Sequence, residues 1–158
     1  MFNGIIHLGS DEVNMKSTAI LDLMVRDHGR LIVLLNEVEK NINKEAEKAI
    51  KAFDSFEWAL EKHIFTEEKA IFTAYQPDNV TTGFKMLPNL VKEHNEILNQ
   101  LRVMRRDVLS GHTSDFRGFK ELLLKHKGFE EEELYPKIDQ ELSNKDKQGI
   151  INRIQEIV

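Results

Sequence analysis

The stretch HKGFEEEELYP, residues 126–136, belongs to a segment with the apolar spacing of an amphipathic helix, but it places polar groups on the apolar side. This departure from the pattern is the first indication of the fold. The apolar side of the surrounding helix runs through Phe119 and Leu123 and then continues through His126 and Glu130. The imidazole and the carboxylate are four residues apart, so they lie on one face of a helix, one turn apart. A helix that buries such a pair must find partners for it, because unpaired polar groups are costly in a protein core.

This pattern occurs in both halves of the chain. HIFTEEKAIF (63–72) resembles HKGFEEEELY (126–135), and RDHGRLI (26–32) resembles KEHNEIL (92–98). Each half therefore offers one histidine from its first helix and a His-x-x-x-Glu pair from its second. The repeat predicts two similar halves that contribute polar groups from equivalent positions.

Composition limits the class of protein. The 158 residues suit a single domain, residues 1–158, with a sizeable core, and 41% hydrophobic with 31% charged residues is a globular balance. A net charge of −5 without a basic stripe argues against nucleic acid as a partner. The absence of cysteine excludes disulfides, thiolate metal sites and thiol catalysis. No segment suits a membrane span or a signal peptide, so we expect a cytoplasmic protein with no membrane partner.

Periodic apolar residues predict four long helices. We expect them at about 17–43, 45–75, 85–109 and 115–141. Ser17 or Thr18 is suited to cap the first helix, and Pro88 is tolerable only in the first turn of the third. Long helices with short connections predict an all-α, up-down-up-down four-helix bundle over residues 17–142.

Two shorter segments flank the predicted bundle. Residues 1–16 should form an N-terminal arm with apolar side chains available for docking. The sequence SNKD (143–146) resembles a capping box with Asp in place of Glu, so it should open a short C-terminal helix over residues 143–158.

Each predicted long helix carries one histidine on its apolar stripe. These are His28, His63, His94 and His126. Counting along the helices at ~1.5 Å per residue places all four at similar heights, so they can meet in one layer with Glu67 and Glu130. The remaining histidines, His7 and His112, fall in the arm and in a turn, and we expect them at the surface.

A buried layer of four imidazoles and two carboxylates needs compensation. Two facing carboxylates repel each other, and one of them would tend to hold a proton. Two divalent cations bridged by Glu67 and Glu130, each with two imidazoles, would account for all six groups. Nitrogen and carboxylate ligands suit Fe or Mn, with Zn as a further candidate. We therefore predict a dinuclear metal site.

The same residues carry a family resemblance. The chain resembles the hemerythrin-like, HHE cation-binding family in the set His28, His63-x-x-x-Glu67, His94 and His126-x-x-x-Glu130, and in its EE-x-x-LYP ending. The resemblance covers about 17–142 and implies a four-helix bundle around a non-haem di-iron centre. It implies that His28 and His63 serve one iron, that His94 and His126 serve the other, and that Glu67 and Glu130 bridge them.

One position departs from the oxygen carriers of that family. They have a further histidine one turn after the third-helix ligand, where this chain has Leu98. This departure disfavours reversible oxygen carriage and favours the branch associated with iron-sulfur cluster repair, nitric oxide, or iron and oxygen sensing. The resemblance implies a protein that binds or reacts with O₂, NO or peroxide. The alternative is an iron- or oxygen-sensing or storage module that acts through a protein partner.

Several other residues have simpler interpretations. Glu68 and Glu131 are candidate alternative ligands, but we expect them on the solvated face. We expect Trp58, Tyr75 and Tyr135 to be packing groups. A ferritin-like bundle is the nearest rival fold, but it uses Glu-x-x-His, the reverse of the order found here.

Overall fold

The computed structural model describes residues 15–75, 80–112 and 115–157, and within these ranges the chain is helical and contains no strand. The all-α prediction is therefore confirmed. Most of the predicted N-terminal arm, including His7, lies outside the described residues. None of the helices in the described part of the chain combines the length and the apolar composition that a bilayer crossing requires.

The helices follow the predicted order. They are α1 (Ala19–Asn41), α2 (Ala46–Thr66), a π-helical turn π1 (Glu67–Phe72), α3 (Val80–Leu109), α4 (Phe116–Phe129), a second π-helical turn π2 (Glu130–Leu134), α5 (Tyr135–Glu141) and α6 (Asn144–Glu156). Because π1 continues α2, and π2 and α5 continue α4, the chain forms four long helical units and a short last helix. α1 packs against α2 and α5, α2 against α3, and α3 against α4, which closes the bundle.

Two apolar clusters fill the bundle, one on each side of a polar layer. The first contains Leu35, Phe56 and Leu101. The second contains Met24 and Leu90, together with other side chains from the opposite half of each long helix. Each helix thus passes from one cluster to the other through one of the four stripe histidines, so the layer is enclosed by apolar side chains at both ends.

Pro88 lies deeper in its helix than the sequence predicted. α3 begins at Val80, so Pro88 lies inside the helix and not in its first turn. Proline cannot donate the backbone hydrogen bond to the preceding turn, which weakens the helix there. Met86 and Leu90 flank the proline and are both buried in the second cluster, so burial of this segment offsets the missing hydrogen bond.

The start of α1 is capped from a distant part of the chain. Thr18 occupies the N-cap position but makes no side-chain hydrogen bond to the helix amides, so the predicted local cap is wrong. The amides of Ile20 and Leu21 instead donate to the two carboxylate oxygens of Asp139, at 3.0 and 2.9 Å. Asp139 also pairs with the buried Lys147 of α6 at 3.3 Å. This arrangement joins both ends of the described chain.

The predicted cap of the last helix is confirmed in part. The side chain of Ser143 accepts a hydrogen bond from the amide of Asp146 at 3.2 Å, as the first half of a capping box requires. Ile150 then turns into the second apolar cluster and is 1% exposed. The cap and this side chain fix α6 against the end of the bundle.

Candidate metal centre

The structure brings together all six residues that the sequence singled out. Each is buried, and Glu67 and Glu130 are completely inaccessible. Their ligand atoms form two groups, each within 4.8 Å: His28, His63, Glu67 and Glu130, and Glu67, His94, His126 and Glu130. The two carboxylates belong to both groups, so the arrangement has the form of two adjoining four-residue sites that share a pair of glutamates.

Several atoms in the layer face one another without hydrogen bonding. Glu67 Oε2, Glu130 Oε1, His94 Nε2 and His126 Nε2 have no hydrogen-bond partner among the described residues. Yet His94 Nε2 lies 3.1 Å from Glu67 Oε2, and His126 Nε2 lies 2.6 Å from Glu130 Oε1. Buried polar atoms are normally paired, and unpaired ones are costly. Lone pairs that converge in this way fit a metal ion, which accepts from all of them.

Each imidazole is held from behind by a second carboxylate. The Nδ1 atoms of His28, His63, His94 and His126 lie 2.8, 2.6, 2.9 and 2.6 Å from carboxylate oxygens of Glu131, Asp27, Glu68 and Glu93, respectively. A ring that donates its Nδ1–H outward keeps the lone pair of Nε2 directed inward. Such carboxylate–imidazole pairs orient histidine ligands and increase their basicity.

The close contact between His28 and His63 also fits a cation in the layer. His28 Nε2 and His63 Nε2 are 3.2 Å apart. If both rings donate through Nδ1, neither Nε2 carries a hydrogen, and the two lone pairs repel at this distance. A cation between them would convert the repulsion into attraction.

The four outer carboxylates follow the internal repeat. Asp27 and Glu93 directly precede the first histidine of each half, and each accepts from the histidine of the following helix. Glu68 and Glu131 directly follow the shared glutamates, and each accepts from a first-helix histidine. The sequence signal was the recurrence, in both halves, of an acid directly before the first histidine and directly after the glutamate.

The expectation that Glu68 and Glu131 lie on a solvated face is therefore wrong. Their side chains are only 27% and 22% exposed, and each accepts a hydrogen bond from an imidazole of the layer. They are not among the six central residues either. Each lies in a π-helical turn and faces an imidazole of a neighbouring helix, a contact that α-helical spacing alone does not predict.

Both shared glutamates stand where an α-helix changes into a π-helical turn. Glu67 opens π1 and Glu130 opens π2. A π turn holds about one residue more than an α turn, and such turns are frequent at functional sites. Three consecutive residues of π1, Ala70, Ile71 and Phe72, are consequently all buried. Phe72 stacks on His94, with ring centroids 5.9 Å apart.

Tyr135 is more than the packing group that the sequence suggested. It is fully buried, and its hydroxyl contacts Glu67 Oε1 and lies 3.1 Å from Glu130 Oε2. Burial raises the pKa of Tyr135, and the charges of the two carboxylates raise it further. The hydroxyl therefore stays protonated and serves as a donor to the shared glutamates.

The remaining minor predictions have mixed outcomes. Tyr75 is buried as expected, and its hydroxyl donates to Glu141 at 2.8 Å. Trp58 is 62% exposed, so the prediction that it is a packing group is wrong. His112 is exposed, as predicted.

The electrostatics of the layer favour positive charge. Burial lowers the pKa of His94, but the neighbouring carboxylates of Glu130 and Glu67 outweigh it and raise the pKa to about 10. Burial acts to raise the pKa of Glu130, but the neighbouring imidazoles of His126, His28 and His94 hold it well below the usual range. Both shifts show that the layer holds anionic carboxylates beside positive charge; without metal this charge is a proton on His94, and a bound metal ion would replace it.

A small apolar pocket adjoins the layer. It lies on the side of the first apolar cluster, where Leu31, Leu60, Ile97 and Leu123 line it together with the stripe histidines. Its volume is about 20 Å³, and a cavity needs roughly 10–15 Å³ to hold one water molecule. The pocket therefore has room for about one molecule of the size of water beside the layer.

Comparison with known proteins gives one family match. The family model of the hemerythrin HHE cation binding domain matches residues 19–138, which include all six central residues and all four outer carboxylates. The chain shows no significant similarity to a curated protein sequence or to a solved structure.

Proposed function

We propose that this chain, which belongs to the hemerythrin HHE cation binding domain family, is a dinuclear iron protein that binds or reacts with O₂, NO or peroxide. One observation carries the proposal: two four-residue groups of buried imidazoles and carboxylates share Glu67 and Glu130. His28 and His63 would hold one ion, and Glu67 and Glu130 would join it to the second. Mn or Zn would be substitutes, because sites of this kind select weakly among these metals.

The second ion would be held by His94 and His126. Both rings have an unpaired Nε2 next to an unpaired carboxylate oxygen, which supports a ligand role for each of them. The proposed functional unit is a single domain over residues 1–158, with the bundle at residues 17–142 as its metal-binding part.

Each part of the site has a proposed task. Iron bound there would supply redox chemistry towards a small ligand. The outer carboxylates fix the orientation of the imidazoles, and Tyr135 holds the shared glutamates through its hydroxyl. The apolar pocket limits the ligand to a few atoms and disfavours bulk water, because its walls are leucine and isoleucine side chains.

Leu98 supports reaction over reversible carriage. It lies one turn after His94, is partly buried, and packs against the first apolar cluster. A leucine side chain offers no ligand atom, so one iron would keep a position that an oxygen carrier fills with imidazole. That open position favours binding and conversion of NO or peroxide in preference to reversible storage of O₂.

The test is reconstitution of the purified protein with ferrous iron under anaerobic conditions. We expect about two iron ions per chain and optical changes when NO or peroxide is added. One ion or none per chain after reconstitution would refute the dinuclear site. Two ions with no response to either ligand would instead favour the sensing or storage alternative. Glu67→Gln, which removes one shared carboxylate charge, should lower the iron content, whereas Glu96→Gln on the exposed side of α3 should leave it unchanged.

A further inference from the structure

A groove on the outer surface of the bundle lies outside the polar layer and meets it only at Asp27 and His63. It runs between α1 and α2 and reaches the end of α6, and its volume is about 430 Å³. Apolar side chains line much of it, among them Leu23, Leu34, Ala59 and Ile154. Its size falls in the range of small-molecule sites, which are roughly 300–1,000 Å³.

The groove is positively charged although the whole chain is acidic. Arg26, Arg30 and Lys62 line it, and Asp27 is its only lining acid. The net charge of the chain is −5, so this concentration of cations is a local feature. Asp27 is already committed, because it accepts a hydrogen bond from His63 Nδ1 at 2.6 Å. The cations therefore leave the groove with an excess of positive charge.

The groove also offers an exposed aromatic surface. Trp58 lines it and is 62% exposed, which is unusual for so large a side chain. Lys62 Nζ lies over the Trp58 ring, 5.4 Å from its centre, so a cation covers part of one aromatic face. A ligand with an apolar ring and a carboxylate could pair with this cation and pack against the remaining surface of the indole.

We propose that this groove binds an organic carboxylate with an aromatic or similarly apolar body. The arginines and Lys62 hold the carboxylate, and Trp58 with the neighbouring aliphatic side chains covers the body. The site stands independently of the proposed function, since none of its cations belongs to the metal layer. Its occupant would lie beside Asp27 and His63, which both line the groove.

The chain provides its own reporter for this site, because Trp58 is its single tryptophan. We would titrate the metal-loaded protein with 4-phenylbutyrate and with 4-phenylbutanol and follow Trp58 emission, with calorimetry for stoichiometry. The acid should bind at one site per chain, and the alcohol of the same shape should bind at least about ten-fold more weakly, which corresponds to roughly 1.4 kcal/mol. Equal affinity for the two compounds, or no binding of the acid at millimolar concentration, would overturn the proposal.

Matched variants locate the site. Arg30→Gln and Lys62→Gln should each weaken 4-phenylbutyrate binding by about five-fold, as expected for loss of one charge contact. Arg117→Gln removes the same charge from a side chain that is 90% exposed on α4 and should leave binding unchanged. The assignment would be overturned if Arg117→Gln weakened 4-phenylbutyrate binding as much as the groove variants do, or if neither groove variant weakened it. Metal content measured in each variant separates this outcome from failure of the dinuclear site.

Discussion

At the scale of single residues, the centre is built from pairs of neighbours in the sequence. The outer carboxylates adjoin the central residues in the chain, but each one holds an imidazole on a different helix. Asp27 and His28, for example, are consecutive, yet Asp27 binds His63 and His28 binds Glu131. Every stripe histidine is thus fixed by a helix other than its own, so the orientation of the rings depends on the assembled bundle.

Removing one outer carboxylate should weaken metal binding without unfolding the protein. Glu93→Gln replaces the carboxylate that holds His126 Nδ1 by a neutral amide, and its side chain is 44% exposed. Loss of such a partner typically costs about 10–100-fold in metal affinity. Competition with a chromophoric chelator measures the effect, and Glu96→Gln on the exposed side of the same helix is the control. Unchanged affinity in Glu93→Gln would contradict the orienting role.

The hydroxyl of Tyr135 should contribute to stability through the shared glutamates. Tyr135→Phe leaves buried carboxylates without their donor, and hydrogen bonds to charged groups contribute about 1.5–3 kcal/mol. Urea denaturation of chelator-treated protein should show a loss of that size. Tyr75→Phe is the matched control, because its hydroxyl donates to the exposed Glu141 and its removal should cost less. Equal stabilities of Tyr135→Phe and the parent protein would exclude this role.

At the scale of elements, the sequence predicted the positions of the helices but not the π-helical turns inside two of them. Amphipathic periodicity located the four long helical units, because each presents apolar residues at α-helical spacing to a common core, and the capping sequence at Ser143 located α6. It did not reveal the π turns, since His63 and Glu67 share a face in either helix type. The sequence contained one sign of π1: the adjacent residues Ala70 and Ile71 fitted the buried stripe equally well. Both are buried in the structure, as the extra residue of a π turn allows.

In the candidate site, residues marked by the sequence repeat could be predicted, whereas contacts between helices could not. The six central residues were predictable because they recur in both halves at positions that should be apolar. The roles of Glu68, Glu131 and Tyr135 were not, because they arise from contacts between helices that periodicity does not encode. Trp58 was misjudged because large aromatic residues are usually buried, whereas here the residue lines an open groove.

Pro88 makes α3 weaker than its length suggests. It lies inside the helix and is exposed to solvent, so its replacement disturbs no packing. Pro88→Ala restores a backbone donor and should raise the free energy of unfolding by up to about 3 kcal/mol. Asn89→Ala, at the exposed neighbouring position, adds no donor and should change stability by only a few tenths of that. Denaturant midpoints of the two variants provide the comparison, and a destabilised Pro88→Ala would show that the proline is needed where it stands.

At the scale of the whole molecule, the polar layer divides the core into two apolar halves. The halves are joined through the six central residues, so a metal bound there would act on the stability of the entire bundle. A metal that binds only the folded state stabilises it by about 4 kcal/mol at a free concentration of 1,000 times Kd. Calorimetric melting with and without iron should therefore show a higher transition temperature for the loaded protein. Equal melting temperatures at neutral pH would contradict a metal site within the core.

The outer carboxylates have a further consequence, in electrochemical terms. Together with Glu67 and Glu130 they surround the four imidazoles with negative charge, and their effect is least screened where the layer is buried. An iron centre held there would be stabilised more in its ferric than in its ferrous state, because the ferric ion carries the higher charge. Its midpoint potential should be low, and Glu93→Gln should raise it, as spectroelectrochemical titration of the iron-loaded proteins would measure. The half-exposed side chains behind the histidines would thus determine how readily the centre gives up electrons to the molecule that it binds.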